Sequence, residues 1–251
     1  MPVSPSSAPL QSRSAWAAAG PSALTHRPPT PRRIAAATGR LPGRGQCIGL
    51  LGGSFNPAHG GHLAISEEAL RRLDVDAVWW LVSPQNPIKA RDDMAPLASR
   101  IASAQAVAGN HPRVRVTTVE SVLGTRRTLA TLTALRRRFP SVTFLWLMGA
   151  DNLLGISRWG RWAEIFKTVP IAVFNRPTYT ARVGRTKAAR RFAHARLPER
   201  SAPVLRRQRP PAWVFFQQPQ DPRSATAIRN CRTSSAHEPM RPNRVGVTSA
   251  G

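Results

Sequence analysis

Only two cysteines, Cys47 and Cys231, occur in the 251 residues. That is too few for a disulfide framework, and they lack the CxxC spacing that holds structural zinc. No stretch approaches the roughly 18 to 20 uninterrupted apolar residues that a membrane-spanning helix needs. The start of the chain has no charged segment followed by an apolar run of about 7 to 15 residues, so no secretory signal is expected. Acidic side chains are also scarce, with 12 Asp+Glu against 37 Lys+Arg and a formal charge of +25. Hydrophobic residues make up 41 % of the chain, enough for a globular core. A reducing cytoplasm is the expected location.

So basic a chain raises the question of nucleic acid, and the placement of the charge bears on the answer. Residues 1–46 carry six Arg and no acid, residues 182–213 ten basic side chains and one acid, and residues 223–251 five Arg and one Glu. Residues 47–181 hold 16 basic and 9 acidic side chains, so the excess is peripheral. It is mostly Arg, as a base-composition bias in coding DNA produces. The basic stretch Arg182 to Arg209 has few aromatics for stacking bases, and no zinc-finger or RNP signature occurs. Nonspecific attraction to polyanions is expected. No specific nucleic-acid partner and no membrane partner is expected.

Residues 1–46 are rich in Pro, Ala, Ser and Arg and show no periodicity. Such a segment buries too little apolar area to offset its ordering entropy, so it reads as a disordered extension. Residues 47–230 read as one domain and 231–251 as an irregular tail. Apolar runs predict strands over 47–51, 77–82, 114–119, 142–148, 170–174 and 212–217. Helical spacing predicts helices over 61–73, 97–108, 128–139 and 184–195. Alternation of the two implies an α/β fold, a doubly wound parallel sheet with right-handed crossovers.

The segment of most chemical interest follows the first strand directly: Gly52-Gly53-Ser54-Phe55-Asn56-Pro57-Ala58-His59-Gly60-Gly61-His62. In an open parallel sheet, ligands bind beyond the carboxyl ends of the strands. Glycines there let backbone approach a phosphate, and N–H groups at a helix start favour an anion. His59 and His62, three apart at that helix start, share one face and can reach one phosphate. A plain turn with incidental histidines is the competing reading. Zinc suits the pair poorly, because no third ligand is nearby and HExxH is absent.

This segment resembles the GSFDPxHxGH signature of the HxGH nucleotidylyltransferases, a Rossmann-like class. Arg223-Ser224-Ala225-Thr226-Ala227-Ile228-Arg229 resembles their second signature, ISSTxIR. Asn56 stands where Asp is commoner, and Ala225 replaces a Ser. Several middle segments resemble the bacterial nicotinate-nucleotide adenylyltransferases. They are Gly149-Ala150-Asp151 with Leu153, Arg158-Trp159-Gly160-Arg161-Trp162, Asn175-Arg176-Pro177, a helix start at Thr128, and Lys89 closing a PPHK-like loop. The resemblance spans roughly residues 47–230.

It implies adenylyl transfer from ATP to nicotinate mononucleotide, with Mg2+ carried in by ATP and no dedicated metal site. His59, His62 and Arg229 would be catalytic. ATP would meet Gly53, Ser54, Phe55, Gly149, Asp151, Ser224 and Thr226 as well. Nicotinate mononucleotide would meet Lys89, Thr128, Trp159, Trp162 and Arg176. The bland alternatives are core packing for the two Trp residues, loop capping for Asp151 and a solvated charge for Lys89. Two other functions stay open: a pantetheine-phosphate adenylyltransferase-like activity, and a weakened member that binds nucleic acid nonspecifically through its basic segments.

Overall fold

A computed structural model describes residues 29–84, 94–175 and 180–217. Strand β1 (Cys47–Gly53) lies between β2 (Ala77–Val82) and β4 (Thr143–Gly149), parallel to both. β3 (Val114–Thr117) flanks β2. On the other side come β5 (Ile171–Phe174), β7 (Trp213–Phe216) and the two-residue β6 (Arg196–Leu197). The order is β3-β2-β1-β4-β5-β7-β6, and every pairing is parallel. All six residues of β2 are buried, as expected of a strand covered on both faces.

Alternate residues along each strand feed two separate cores. Ile48, Leu50, Trp79 and Leu81 join one cluster, with Leu132 and Leu135 of α5 (Thr128–Arg138) and Ile165 and Phe166 of α7 (Trp162–Thr168). Cys47, Leu51, Val78 and Trp80 join the other, with Ile65 and Ala69 of α2 (Gly60–Arg72) and Ala104 of α3 (Leu97–Ala108). The sheet is thus doubly wound and Rossmann-like, as the alternation predicts.

Three local expectations need correction. Within the stretch read as a disordered extension, α1 (Pro31–Thr38) is an ordered helix capped by Thr30, with Pro31 at its first turn. Its Ile34 is fully buried in the first core. Eight residues were lost in an average over 46, and what orders them is tertiary contact with β3 and α4 (Val119–Leu123). The strand expected over 114–119 ends at Thr117, and Val119 opens α4. The basic segment 184–195 is broken, with α8 (Thr180–Val183) before it, α9 (Lys187–Arg191) inside it and a 3-10 turn at Ala193–Ala195. Residues 1–28 and 218–251 lie outside the described residues, and with them the expected tail. Among the described residues no helix is long and apolar enough to cross a membrane.

Candidate active site

Strand order runs outward in both directions from the β1–β4 pair, so the crevice at their carboxyl ends is the topological switch point. The register pairs Leu51 with Leu147, which brings Gly53 and Gly149 to neighbouring strand ends. Gly52 is required there by space. A Cβ at this position would drive into the indole of buried Trp146 on β4.

The motif turn then delivers two histidines to the start of α2. His59 is the N-cap, and its Nδ1 accepts the N–H of Gly61 at 3.2 Å. The Nδ1 of His62 accepts the N–H of His59 at 3.2 Å, closing a reciprocal capping box. The ring centroids are 4.0 Å apart. A neutral His59 ring whose Nδ1 accepts carries its proton on Nε2, so Nε2 is a donor. A donor at the positive end of a 13-residue helix suits a phosphate oxygen. His59 is buried and His62 half-buried.

The turn rests on an aromatic back wall. Phe55, at φ 47° and buried, lies 4.7 Å from the His62 ring and stacks on Trp80 at 5.2 Å. The Trp80 indole donates to Ser66 Oγ, which donates to the His62 carbonyl. Two further bonds tie the turn to α3 and to the residues just before it. Asn56 Oδ1 accepts the N–H of Ala95 at 3.3 Å, and the Ala58 N–H donates to Ser103 Oγ at 3.2 Å. Asn in place of Asp thus retains an acceptor that shapes the loop.

Arg100 on α3 binds the same region from beneath. Its guanidinium donates to the carbonyls of Ala95 (2.9 Å), Ser54 (2.8 Å), Ser83 (2.8 Å) and Pro84 (3.1 Å). The residue is 2 % exposed. Burial pulls its pKa down from the usual guanidinium value. Sequence reading missed Arg100, since one Arg in a basic chain carries no signal. The helical face does carry one, because Arg100, Ala104 and Ala108 are spaced as the buried stripe of α3.

The other predicted residues fall into two groups. Asp151 lies in the first turn of α6 (Ala150–Gly155), directly after Gly149, and Thr128 opens α5. The start of α5 adjoins the Trp loop, since a Cβ on Gly160 would lie 3.4 Å from Arg127 Nη1. Trp159 packs half-buried against the first core. Trp162 meets Phe166 and Phe192 edge-on at 6.3 and 6.1 Å, with the Arg191 guanidinium 5.6 Å from its ring. Lys89, Arg176, Ser224, Thr226 and Arg229 lie outside the described residues. Among the described residues no group of three or more His, Cys, Asp and Glu could hold a metal ion.

Sheet order, switch-point turn and capped histidines define a nucleotide-binding protein of the Rossmann-like class. A family model described as cytidylyltransferase-like matches residues 50–231. A protein of Rhizobium johnstonii named "Probable nicotinate-nucleotide adenylyltransferase" is 47 % identical over 195 residues, 78 % of this chain and 98 % of that protein. One of the same name from Cereibacter sphaeroides is 52 % identical over 182 residues, 72 % of this chain and 95 % of that protein. Among solved structures, the Plasmodium falciparum nicotinic acid mononucleotide adenylyltransferase complexed with NaAD superposes with TM-score 0.57 at 14 % identity. It covers 74 % of this chain and 83 % of that one, a likeness of fold. The chain belongs to the cytidylyltransferase-like family and, within it, to the bacterial nicotinate-nucleotide adenylyltransferases.

Proposed function

We propose that this chain transfers the adenylyl group of ATP to nicotinate mononucleotide, giving nicotinate adenine dinucleotide for NAD biosynthesis. The observation that carries the reading is the reciprocally capped His59–His62 pair at the start of α2, directly beyond β1 at the switch point. A phosphate oxygen of the mononucleotide attacks the α-phosphorus of ATP. The bond from that phosphorus to the bridging oxygen breaks, and pyrophosphate leaves with the electron pair. The nucleophile is already an anion, so no general base is needed. What the protein supplies is alignment and stabilisation of the charge on the phosphoryl oxygens.

His59 and His62 donate from Nε2 to ATP phosphates, and the backbone of Gly53, Ser54 and Phe55 lines the same turn. Gly149 and Asp151 face the nucleoside, with Asp151 on a ribose hydroxyl. Arg229, with Ser224 and Thr226, takes the β- and γ-phosphates. Lys89 and Arg176 take the anionic groups of the mononucleotide, and Thr128 joins them at the start of α5. Trp162 is already engaged by Phe166, Phe192 and Arg191, so stacking of the pyridine ring falls first to Trp159. The turn offers imidazole and backbone N–H, not the oxygen ligands that Mg2+ takes. Mg2+ is therefore assigned to the triphosphate oxygens, where it offsets negative charge, and no described residue is assigned to hold it.

The test is pyrophosphate release from ATP with nicotinate mononucleotide, nicotinamide mononucleotide or phosphopantetheine as acceptor. Release should require nicotinate mononucleotide and fall about a hundredfold or more in His62→Ala. Higher kcat/KM with the amide would overturn the acid preference. Release only with phosphopantetheine would move the chain to the pantetheine-phosphate branch.

A further inference from the structure

Arg100 is placed where it can coordinate the two halves of the site, and this inference rests on the adenylyl-transfer reading. Four of its five N–H groups donate to backbone carbonyls, and none of the four acceptors is a carboxylate. Leaving water is costly for a cation, so an arginine 2 % exposed needs this many partners. The identity of the partners is what matters. Ser54 belongs to the phosphate-binding turn, while Ser83, Pro84 and Ala95 are the described flanks of the segment that carries Lys89. Asn56 reinforces the link by accepting the N–H of the same Ala95.

We infer that Arg100 is a positioning residue that holds Ser54 of the ATP turn at a fixed separation from Ser83, Pro84 and Ala95, the residues that lead into and out of the Lys89-bearing stretch of sequence. Three features support this. Arg100 sits in the first turns of α3, at the carboxyl edge, within hydrogen-bond reach of Ser54 and of the Ser83-Pro84 backbone at once. Its planar fork fixes directions as well as distances, which the point charge of a lysine cannot do. Its partners among the described residues are neutral dipoles, which leave its positive charge uncancelled in the place where phosphates must bind.

Arg206 provides the control. It too donates to backbone carbonyls, Asp74 at 2.7 Å and Gly45 at 3.3 Å, but at the opposite edge of the sheet. Arg100→Lys and Arg206→Met are compared with wild type by thermal unfolding, by kcat and KM for both substrates, and by backbone hydrogen exchange. Arg100→Lys should lower kcat/KM for ATP and for nicotinate mononucleotide together, about tenfold to a hundredfold. Exchange should rise in both 54–58 and 94–96. Arg206→Met should lower the unfolding midpoint while its kcat/KM stays within about twofold of wild type. A loss confined to one substrate, or exchange rising in one segment alone, overturns the inference, as does an Arg100→Lys variant equal to wild type. Wild type inactive with every acceptor would sink the adenylyl-transfer reading alone, and the exchange pattern would still decide the role of Arg100.

Discussion

Each edge of the sheet has an arginine that binds backbone carbonyls, in opposite electrostatic settings. At the amino edge Arg206 meets Asp74 Oδ2 at 2.8 Å and Asp76 Oδ2 at 3.7 Å, and Asp76 also accepts the N–H of Cys47 at 2.7 Å. Opposite charges cancel there and knit the β1 entry to the loop before β2. Cys47 beside them is fully buried, and its thiol is pushed up to about 12, first by desolvation, so it is inert. At the carboxyl edge the buried titratable groups have neutral partners among the described residues. Arg100 has four carbonyls, and Glu120 on α4 has the Thr131 hydroxyl at 2.8 Å. The amino edge is built to hold together. The carboxyl edge is built to keep its positive potential available to an anion.

The sharpest way to break that contrast is to separate the two jobs of His59. Its Nδ1 caps α2, and its Nε2 is assigned to phosphate. In His59→Asn the amide oxygen can still accept the Gly61 N–H, so the cap is retained and the ring donor is lost. We expect kcat/KM to fall about a hundredfold to a thousandfold. The unfolding midpoint should stay near wild type, whereas His59→Ala should also forfeit about 1 kcal/mol of capping. If His59→Asn and wild type turn over alike, His59 is a structural cap only.

How much of this was legible beforehand depends on whether each interaction is local. The six longer strands, the motif turn and the histidine pair all declare themselves within a dozen residues. Apolar runs, glycines and caps are short-range signals. α1 was readable in principle from Thr30-Pro31, but its composition resembles the segment before it, and its stability comes from β3 and α4. β6, two residues long, has no pattern to show. The burial of Arg100 can be read from its helical face, but the bonds made by Arg100 and Glu120 cannot, because most of their partners lie in other elements, up to 46 residues away. The engagement of Trp162 is likewise tertiary.

Glycines at the two ends of β1 offer a second comparison, with a smaller expected effect. Gly45 needs its φ of 76°, and nothing lies within 4 Å of where a Cβ would stand. Gly52 needs room, because its Cβ would collide with Trp146. Gly45→Ala should cost about 1 kcal/mol of backbone strain and leave catalysis alone. Gly52→Ala should cost about 1–3 kcal/mol from overpacking. Because the turn follows it directly, Gly52→Ala should also lower kcat/KM. Equal activity of the two variants would mean that the turn tolerates displacement at its root.

Glu120 gives the smallest effect and the most specific reading of the carboxyl edge. Burial raises its carboxyl pKa above the usual range, and the Thr131 bond pulls it back only in part. The folded protein therefore holds this proton more tightly than the unfolded chain does. The stability tied to the protonated carboxyl is present in full below the unfolded-state value, about 4.3, and is lost as pH rises through the raised folded value. Glu120→Gln keeps an acceptor for Thr131 and has nothing to ionise. Its unfolding midpoint should gain on wild type steadily as pH rises from about 4 towards neutrality. Parallel midpoint curves would mean that an ionised Glu120 is accommodated without penalty. A buried negative charge would then stand at the carboxyl edge, and the contrast between the two edges would rest on Arg100 alone.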